Sequence, residues 1–323
     1  MSSTSNNGHR VLVTGAAGFV GSHVVEVLAG DPHTTVTATD ASGEKRLAEL
    51  GHLDTVTSQV SDLRDHDAIS TLVAGVDVIV HLAAVRTQAS ASRPRLAHEV
   101  NVGATYDLLT AARDAGCRRV VFGSSHTVYG SFTDAHREPF AEDAPWVCSG
   151  INMYAATKLA AEAYLESFAS SGGPEYLALR LGNIYGPRTS PGSNGALTTD
   201  LIRAVRGGET PHIPWAASAQ HALIHVQDVA EAIRRAVFVE ASNMAINVVG
   251  RPRTSREIYG TLAQLVGADP DSIEWDEERT RHQLVSQARM EHVLKFSPAV
   301  GLEDGLRSVI SWYDSLDGAG AAS

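Results

Sequence analysis

Residues 154–158 read YAATK, a phenol and an ammonium four positions apart. At i and i+4 of a helix, Tyr154 and Lys158 share one face. A free tyrosine titrates near about 10 and is a poor base at neutral pH. A neighbouring ammonium favours the phenolate and lowers that value. A tyrosine tuned this way exchanges a proton with a substrate hydroxyl while hydride moves to or from a nicotinamide. Chance also puts Tyr and Lys on one helix face, so composition matters. The chain has 23 Arg but only three Lys, namely Lys45, Lys158 and Lys295. Arginine carries almost all the positive charge, and a lysine here marks a role that a permanently charged, planar fork does not fill.

A second constellation is TGAAGFVG, with Gly15, Gly18 and Gly21 in a GxxGxxG spacing. Such glycines let the backbone turn sharply and approach a pyrophosphate, whose charge a helix N-terminus stabilises. Gly-Ala loops also serve as plain turns, so context decides. This loop follows an apolar run, opens a helical pattern, and precedes Asp40 at the end of the next apolar run. A carboxylate there accepts hydrogen bonds from ribose hydroxyls and repels a 2′-phosphate. Ala41 and Ser42 follow it with no adjacent arginine, which favours NAD as cofactor; Arg46 is the residue that argues for NADP. A third stretch, FGSSHTVYG (122–130), puts two serines and a histidine at the end of a strand candidate.

The elements that would position these residues alternate. Strand candidates are 11–15, 35–40, 55–60, 76–84, 118–125 and 175–182, with helices near 18–28, 65–74, 95–115 and 152–170 between them. Strands alternating with helices imply right-handed crossovers and a parallel sheet, hence an α/β, doubly wound Rossmann fold. Beyond Leu181 the pattern turns loop-rich at GNIYGPRTSPGSNG (182–195). Shorter elements follow at 197–207, 222–226, 228–238, 244–249, 254–266 and from Leu302. The expected organisation is a dinucleotide-binding domain over 1–181 and a smaller, interleaved substrate-binding domain over 182–323, with about 222–250 able to return to the first.

Composition excludes several classes. The net charge of −11 offers no basic stripe for phosphate tracking, so no nucleic-acid partner is expected. No apolar run approaches the about 20 residues of a membrane span, and MSSTSNNGHR lacks a signal-peptide core. Two cysteines, Cys117 and Cys148, make neither a disulfide framework nor a metal cluster, which fits a reducing cytoplasm.

Together these motifs resemble the extended short-chain dehydrogenase/reductase family, the NAD-dependent epimerase/dehydratase group typified by UDP-galactose 4-epimerase. The likeness runs from about residue 10 to 314. It rests on TGAAGFVG, Asp40, SDLRD (61–65), HLAA (81–84), the Asn101 helix, FGSSHTVYG, YAATK, LRLGNIYGPR (179–188), IHVQDVAEAI (224–233) and FSPAVGLEDGLRSVISWY (296–313). The resemblance implies that Gly15, Gly18, Phe19, Val20 and Gly21 line the pyrophosphate loop and Asp40 holds the ribose. Asp62 and Leu63 would flank the adenine, and Leu82, Ala83 and Ala84 the nicotinamide side. Tyr154 and Lys158 would be the catalytic pair. Asn101 and Asn183 match asparagines that meet the active site or substrate, with a helix-packing amide as the alternative for Asn101. Members often form homodimers through two helices per subunit, for which 95–115 and 152–170 would serve.

The resemblance also bears on the reaction. Family 4,6-dehydratases resemble STDEVYG at the serine stretch, where this chain has His126 and Thr127, and a threonine is no carboxylate base for water loss. The 4-epimerases resemble SSSATVYG, whose catalytic serine falls on Ser125, leaving Ser124 to support it and His126 to contact substrate or wall the pocket. Many nucleotide-sugar members have a phrase like RDFIHVDD with a diphosphate-clamping arginine; here His221 stands in its place. Either Arg188, Arg203, Arg279 or Arg281 takes that role, or the substrate lacks a diphosphate. Arg86, just past HLAA, is a candidate contact for a sugar carboxylate. Three readings follow: a nucleotide-sugar 4-epimerase or related C4 oxidoreductase, a dehydrogenase or ketoreductase of a free sugar, sugar acid or other small hydroxy compound, and a non-catalytic NAD-binding protein.

Overall fold

The computed structural model describes residues 8–130, 132, 138–145, 150–189 and 196–320. Its strands are β1 (His9–Thr14), β2 (Thr34–Asp40), β3 (Val56–Val60), β4 (Val78–His81), β5 (Arg119–Ser125) and β6 (Glu175–Leu181). They continue with β7 (Asn183–Tyr185), β8 (His212–Ile213), β9 (Gln220–His225), β10 (Met244–Val248), β11 (Pro252–Thr254) and β12 (Glu274–Trp275). Helices α1 (Phe19–Ala29), α2 (Glu44–Leu50), α3 (His66–Val73), α4 (Thr87–Ser92) and α5 (Pro94–His98) come first. Next are α6 (Ala104–Asp114), α7 (Met153–Ser170), α8 (Ala196–Arg206), α9 (Val226–Phe238), α10 (Ser255–Leu265), α11 (Ala288–Val293) and α12 (Leu302–Gly320).

Seven strands form a parallel sheet in the order β10-β6-β5-β4-β1-β2-β3. The strand sequences explain the parallel arrangement. Val78–His81 and Arg119–Ser125 are buried at every position, as strands covered on both faces must be. Leu12, Ile79, Val120, Phe122, Leu108, Leu109 and Leu165 anchor the core between this sheet and its helices. The order reverses between β1 and β4, so their carboxyl ends, carrying Thr14 and His81, flank the switch point where such sheets bind ligands.

The chain divides into two compact units. The first comprises Met1–Gly130, Val147–Arg180 and Ala230–Ile246; the second comprises Ser131–Trp146, Leu181–Val229 and Asn247–Ser323. This differs from a single cut at 181. Phe140 bridges Val285, and the Glu142 carboxylate accepts from the Asn247 amide at 2.8 Å, so this early excursion belongs with late residues. Only 230–246 of the stretch 222–250 joins the first unit. The second unit has its own core of Tyr185, Leu201, Ile202, Ile258, Leu262, Leu306 and Val309, and a three-stranded sheet β11-β9-β7.

The helix expected over 95–115 is interrupted. Glu99–Gly103 form a π-helical turn between α5 and α6, and the Thr105 hydroxyl fills the widened turn by donating to the Asn101 carbonyl at 2.9 Å. Among the described residues no helix is long and apolar enough to cross a membrane.

Candidate active site

The glycine loop joins β1 to α1. Gly15 has φ of +70°, and a Cβ there would sit 2.7 Å from the Ala83 amide nitrogen. At Gly21 a Cβ would collide with the Gly15 carbonyl and the Ala16 backbone. Close approach of backbone to backbone therefore requires both glycines, whereas Gly18 has an ordinary extended φ of −70°. Phe19 and Val20 open α1 behind the loop. The Asp40 carboxylate accepts from the amides of Ala17 at 3.1 Å and Ser42 at 3.4 Å. Burial outweighs these amides and raises the Asp40 pKa above the usual carboxylate range. A loop with no room for side chains, a helix N-terminus and one half-buried carboxylate fit a dinucleotide with a free ribose diol.

Asp62 and Leu63 follow β3. The exposed Asp62 carboxylate is held by Arg64 through Nε and Nη2, which lowers its pKa. Leu63 is a core side chain, 6% exposed, so only its backbone is free to border a ligand. Leu82, Ala83 and Ala84 follow β4 as half-buried residues whose first two amides donate to the Thr14 hydroxyl.

Asn152 caps α7 by accepting from the Ala155 amide at 2.9 Å, which puts Tyr154 in the first turn and Lys158 one turn on. Lys158 is buried. Its Nζ donates to the Gly123 carbonyl of β5 at 2.6 Å, 4.5 Å from the Phe122 ring centroid and 5.6 Å from that of Tyr154. Burial pulls Lys158 down to about 7, opposed by the Glu162 carboxylate. Burial also pushes Tyr154 up to about 12, opposed by the Arg86 guanidinium. Arg86 is thus an exposed cation close enough to act on the phenol.

The two serines of β5 divide their work. Ser124 donates to Glu162 Oε1 and is wholly internal. Ser125 accepts from the Thr127 amide at 3.2 Å and hydroxyl at 2.9 Å, starting a 3₁₀ turn over His126–Tyr129. His126 is buried in that turn. Behind them lies a group that the motifs do not reveal. Glu162 accepts from Arg180 Nε at 3.1 Å and Nη2 at 2.7 Å, and Arg180 Nη1 donates to the Tyr129 hydroxyl at 3.0 Å. The available signal was spacing, since Glu162 lies four residues beyond Lys158.

Asn101 differs from a cofactor-facing side chain. Its Oδ1 accepts from the Val85 amide at 2.7 Å, and its Nδ2 donates to the Val85 carbonyl and to Thr157 Oγ1. That is the packing role, and it extends further. The Leu82 and Ala83 amides donate to Thr14, and Thr14 in turn donates to His81 Nδ1 at 2.7 Å. Thr105 donates to the Asn101 carbonyl, so it accepts from His81 Nε2–H at 2.9 Å. Thr157 passes the chain to the Tyr154 carbonyl at 2.7 Å. Burial and the Lys158 charge hold His81 near about 3, so it is neutral with its proton on Nε2.

Asn183, Arg188 and His221 lie in the second unit. Asn183 donates to Gln283, and Arg188 adopts a left-handed φ of 70°. His221 is 3% exposed, with Nε2 on Ser255 at 2.8 Å and Nδ1 accepting from Arg281 Nη2 at 3.1 Å. Both ring nitrogens are engaged internally, so His221 supports Arg281 rather than presenting itself to a ligand.

The fold and the Tyr–Lys site define a dinucleotide-dependent oxidoreductase scaffold. The NAD dependent epimerase/dehydratase family model matches residues 11–248, and the chain belongs to that family. It is similar to the UDP-glucose 4-epimerase of Mycolicibacterium smegmatis, with 32% identity over 313 residues covering 94% of this chain and 98% of the relative. Similarity to the dTDP-glucose 4,6-dehydratase of Streptomyces griseus is 30% over 322 residues, covering 94% and 93%. Among solved structures, a UDP-N-acetylglucosamine 4-epimerase from Methanobrevibacter ruminantium in complex with UDP-N-acetylmuramic acid superposes with a TM-score of 0.83. Its identity is 27%, with 96% of this chain and 99% of that one covered. The Thermus thermophilus UDP-glucose 4-epimerase complex with NAD gives a TM-score of 0.80 at 28% identity, covering 94% and 99%.

Proposed function

We propose that this protein is a NAD-dependent nucleotide-sugar 4-epimerase. The carrying observation is Lys158, buried between the Gly123 carbonyl and the Tyr154 ring beside a strand end bearing hydroxyls and no carboxylate. Gly15, Gly21 and the start of α1 would hold the cofactor's pyrophosphate, and Asp40 its ribose. Bound NAD supplies a reversible hydride acceptor. Tyr154 Oη takes the proton of the sugar C4 hydroxyl and later returns it. The Lys158 ammonium and the Arg86 guanidinium both favour the phenolate, against the burial that raises its pKa. Ser125 donates its hydroxyl hydrogen to the reacting oxygen, while Ser124, fixed on Glu162, holds the strand end. Asp62 and the Leu63 backbone would border the adenine, and Leu82, Ala83 and Ala84 the nicotinamide. The dehydratase relatives point to a competing reaction, but loss of water needs a carboxylate where this chain has His126 and Thr127.

A second reading has its own support. His221 is buried and neutral where the resemblance expects an arginine, and Arg86 offers an exposed cation beside Tyr154. Both favour a dehydrogenase of a free sugar acid. Denaturing the purified protein and assaying the supernatant for NAD, followed by a panel of UDP-, dTDP- and GDP-sugars beside free sugar acids, separates the two. Epimerised nucleotide sugar with no net NADH supports the first; NADH formed only with unactivated substrates refutes it. The protein is further proposed to be a cytoplasmic homodimer. The half-exposed side chain of Tyr106 on α6 packs with Tyr164 and Phe168 of α7, leaving an aromatic face for a second copy. Sedimentation equilibrium tests the dimer.

A further inference from the structure

We propose that Glu162, held by Arg180, is a positioning residue of the reaction: its carboxylate keeps Lys158 in place and charged beside Tyr154, and thereby governs the proton exchange at the phenol. This rests on the Tyr154–Lys158 reading above. Lys158 and Glu162 stand one turn apart on a shared face of α7. Consecutive residues of β5 meet these two turns. The Gly123 carbonyl accepts from Lys158 Nζ, and the Ser124 hydroxyl donates to Glu162 Oε1. Arg180 of β6 closes the arrangement, with Nη2 2.7 Å from Glu162 Oε2. Lys158, Glu162, Ser124 and Arg180 are each no more than 5% exposed, so the charges in this cluster are poorly screened by water and salt.

The other groups around Lys158 do not substitute for Glu162. The Gly123 carbonyl and the Phe122 ring of β5 receive the ammonium but carry no net charge. His81 of β4 is neutral, because burial and the Lys158 charge hold it at about 3. Arg180 is engaged by Glu162 and by the Tyr129 hydroxyl. His126 and Tyr129 lie in the turn after β5, and Arg86 acts on Tyr154. Among the described residues Glu162 is the charge that favours the ammonium, against the burial that brings Lys158 down to about 7. Between that value and the value of about 12 for Tyr154, the pair shares one proton. Each pH unit taken off Lys158 lowers the ammonium–phenolate fraction about tenfold.

Lysine isotope-labelled at its ε-carbon tests this by NMR, because three lysines give three resonances and Lys158→Met identifies one of them. The full-length protein is titrated NAD-free and again loaded with NAD. In NAD-free wild type the Lys158 midpoint should lie at about 7, and Glu162→Gln should lower it by at least about one pH unit in either state. Glu162→Leu with Arg180→Leu should be the more stable variant, yet its Lys158 midpoint should stay low, since the carboxylate is still gone. That double variant decides the matter if Glu162→Gln does not fold. With UDP-glucose as the substrate tried, kcat at fixed pH should fall about tenfold for each pH unit lost from the midpoint, with KM unchanged. A Lys158 midpoint at the wild-type value in a folded variant lacking Glu162 overturns the role. It leaves the epimerase reading standing, because no substrate enters the titration. A lowered midpoint in a protein that epimerises none of the UDP-, dTDP- or GDP-sugars supports the hold of Glu162 on Lys158 and refutes only the nucleotide-sugar reading.

Discussion

Glu162→Gln is the sharpest test of how the site is built. Glu162 and Arg180 are 5% and 3% exposed, and the carboxylate accepts from Arg180 twice and from Ser124 once. Glutamine keeps the shape but removes the charge and one acceptor oxygen. Arg180 is then a buried guanidinium that has lost its carboxylate partner, while its contacts with the Tyr129 hydroxyl and ring remain. Breaking such a pair from one side destabilises by about 3–5 kcal/mol. With a urea m-value of about 3 kcal/mol/M, the midpoint falls by about 1–1.7 M. The assay is urea unfolding followed by far-UV circular dichroism at neutral pH. A double variant, Glu162→Leu with Arg180→Leu, should recover most of the loss, because the buried guanidinium is removed together with its partner. A midpoint lowered by less than about 0.3 M in Glu162→Gln would refute the reasoning, since under about 1 kcal/mol is what an exposed pair is worth.

Tyr154→Phe should lower kcat by about 10²–10⁴-fold with NAD still bound, since only the proton carrier is lost; turnover within about tenfold of wild type would revive the non-catalytic reading. Gly15→Ala should destabilise the chain by about 1–3 kcal/mol and abolish NAD retention, because φ is +70° and the new methyl meets the Ala83 backbone; retained NAD at wild-type stability contradicts the loop assignment. Lys158 has a pH signature. Its value in the fold, about 7, lies below the about 10.4 of an unfolded lysine. The unfolded chain therefore binds more protons between those values, and this group's contribution to stability rises with pH from about 7 upward. In NAD-free protein, unfolding free energies at pH 7 and 9 should differ between wild type and Lys158→Met by about 2 kcal/mol, the wild type gaining more at pH 9. The comparison between variants cancels the opposing effect of Cys117, which burial pushes up to about 11. Parallel pH dependence in the two proteins would show that Lys158 is not desolvated.

What was legible in the sequence was local. TGAAGFVG declares a backbone that must bend and approach closely, and YAATK declares a shared helix face, because both need only neighbouring residues. Alternation gave the parallel sheet for the same reason. What was not legible depends on partners far along the chain. Asn101 matched a site asparagine, but its amide is committed to Val85 and Thr157, and no pattern within one helix reveals a π turn. His221 looked like a ligand because it stands where an arginine was expected; its partner Arg281 is sixty residues away. The excursion through Phe140 joins the second unit by pairing with Val285, which sequence periodicity does not encode.

The chain from Thr14 through His81, Thr105, Asn101 and Thr157 to the Tyr154 carbonyl has a direction. Each hydroxyl donates onward, and the single imidazole is locked as one tautomer because protonating it would require a pH near about 3. No member can reverse alone, and none titrates in the range where the protein works. The frame joining the phosphate loop to the helix of Tyr154 is therefore blind to acidity. Under the proposed mechanism, a bend in the pH–rate profile is expected from the Tyr154–Lys158 pair rather than from this hydrogen-bonded frame.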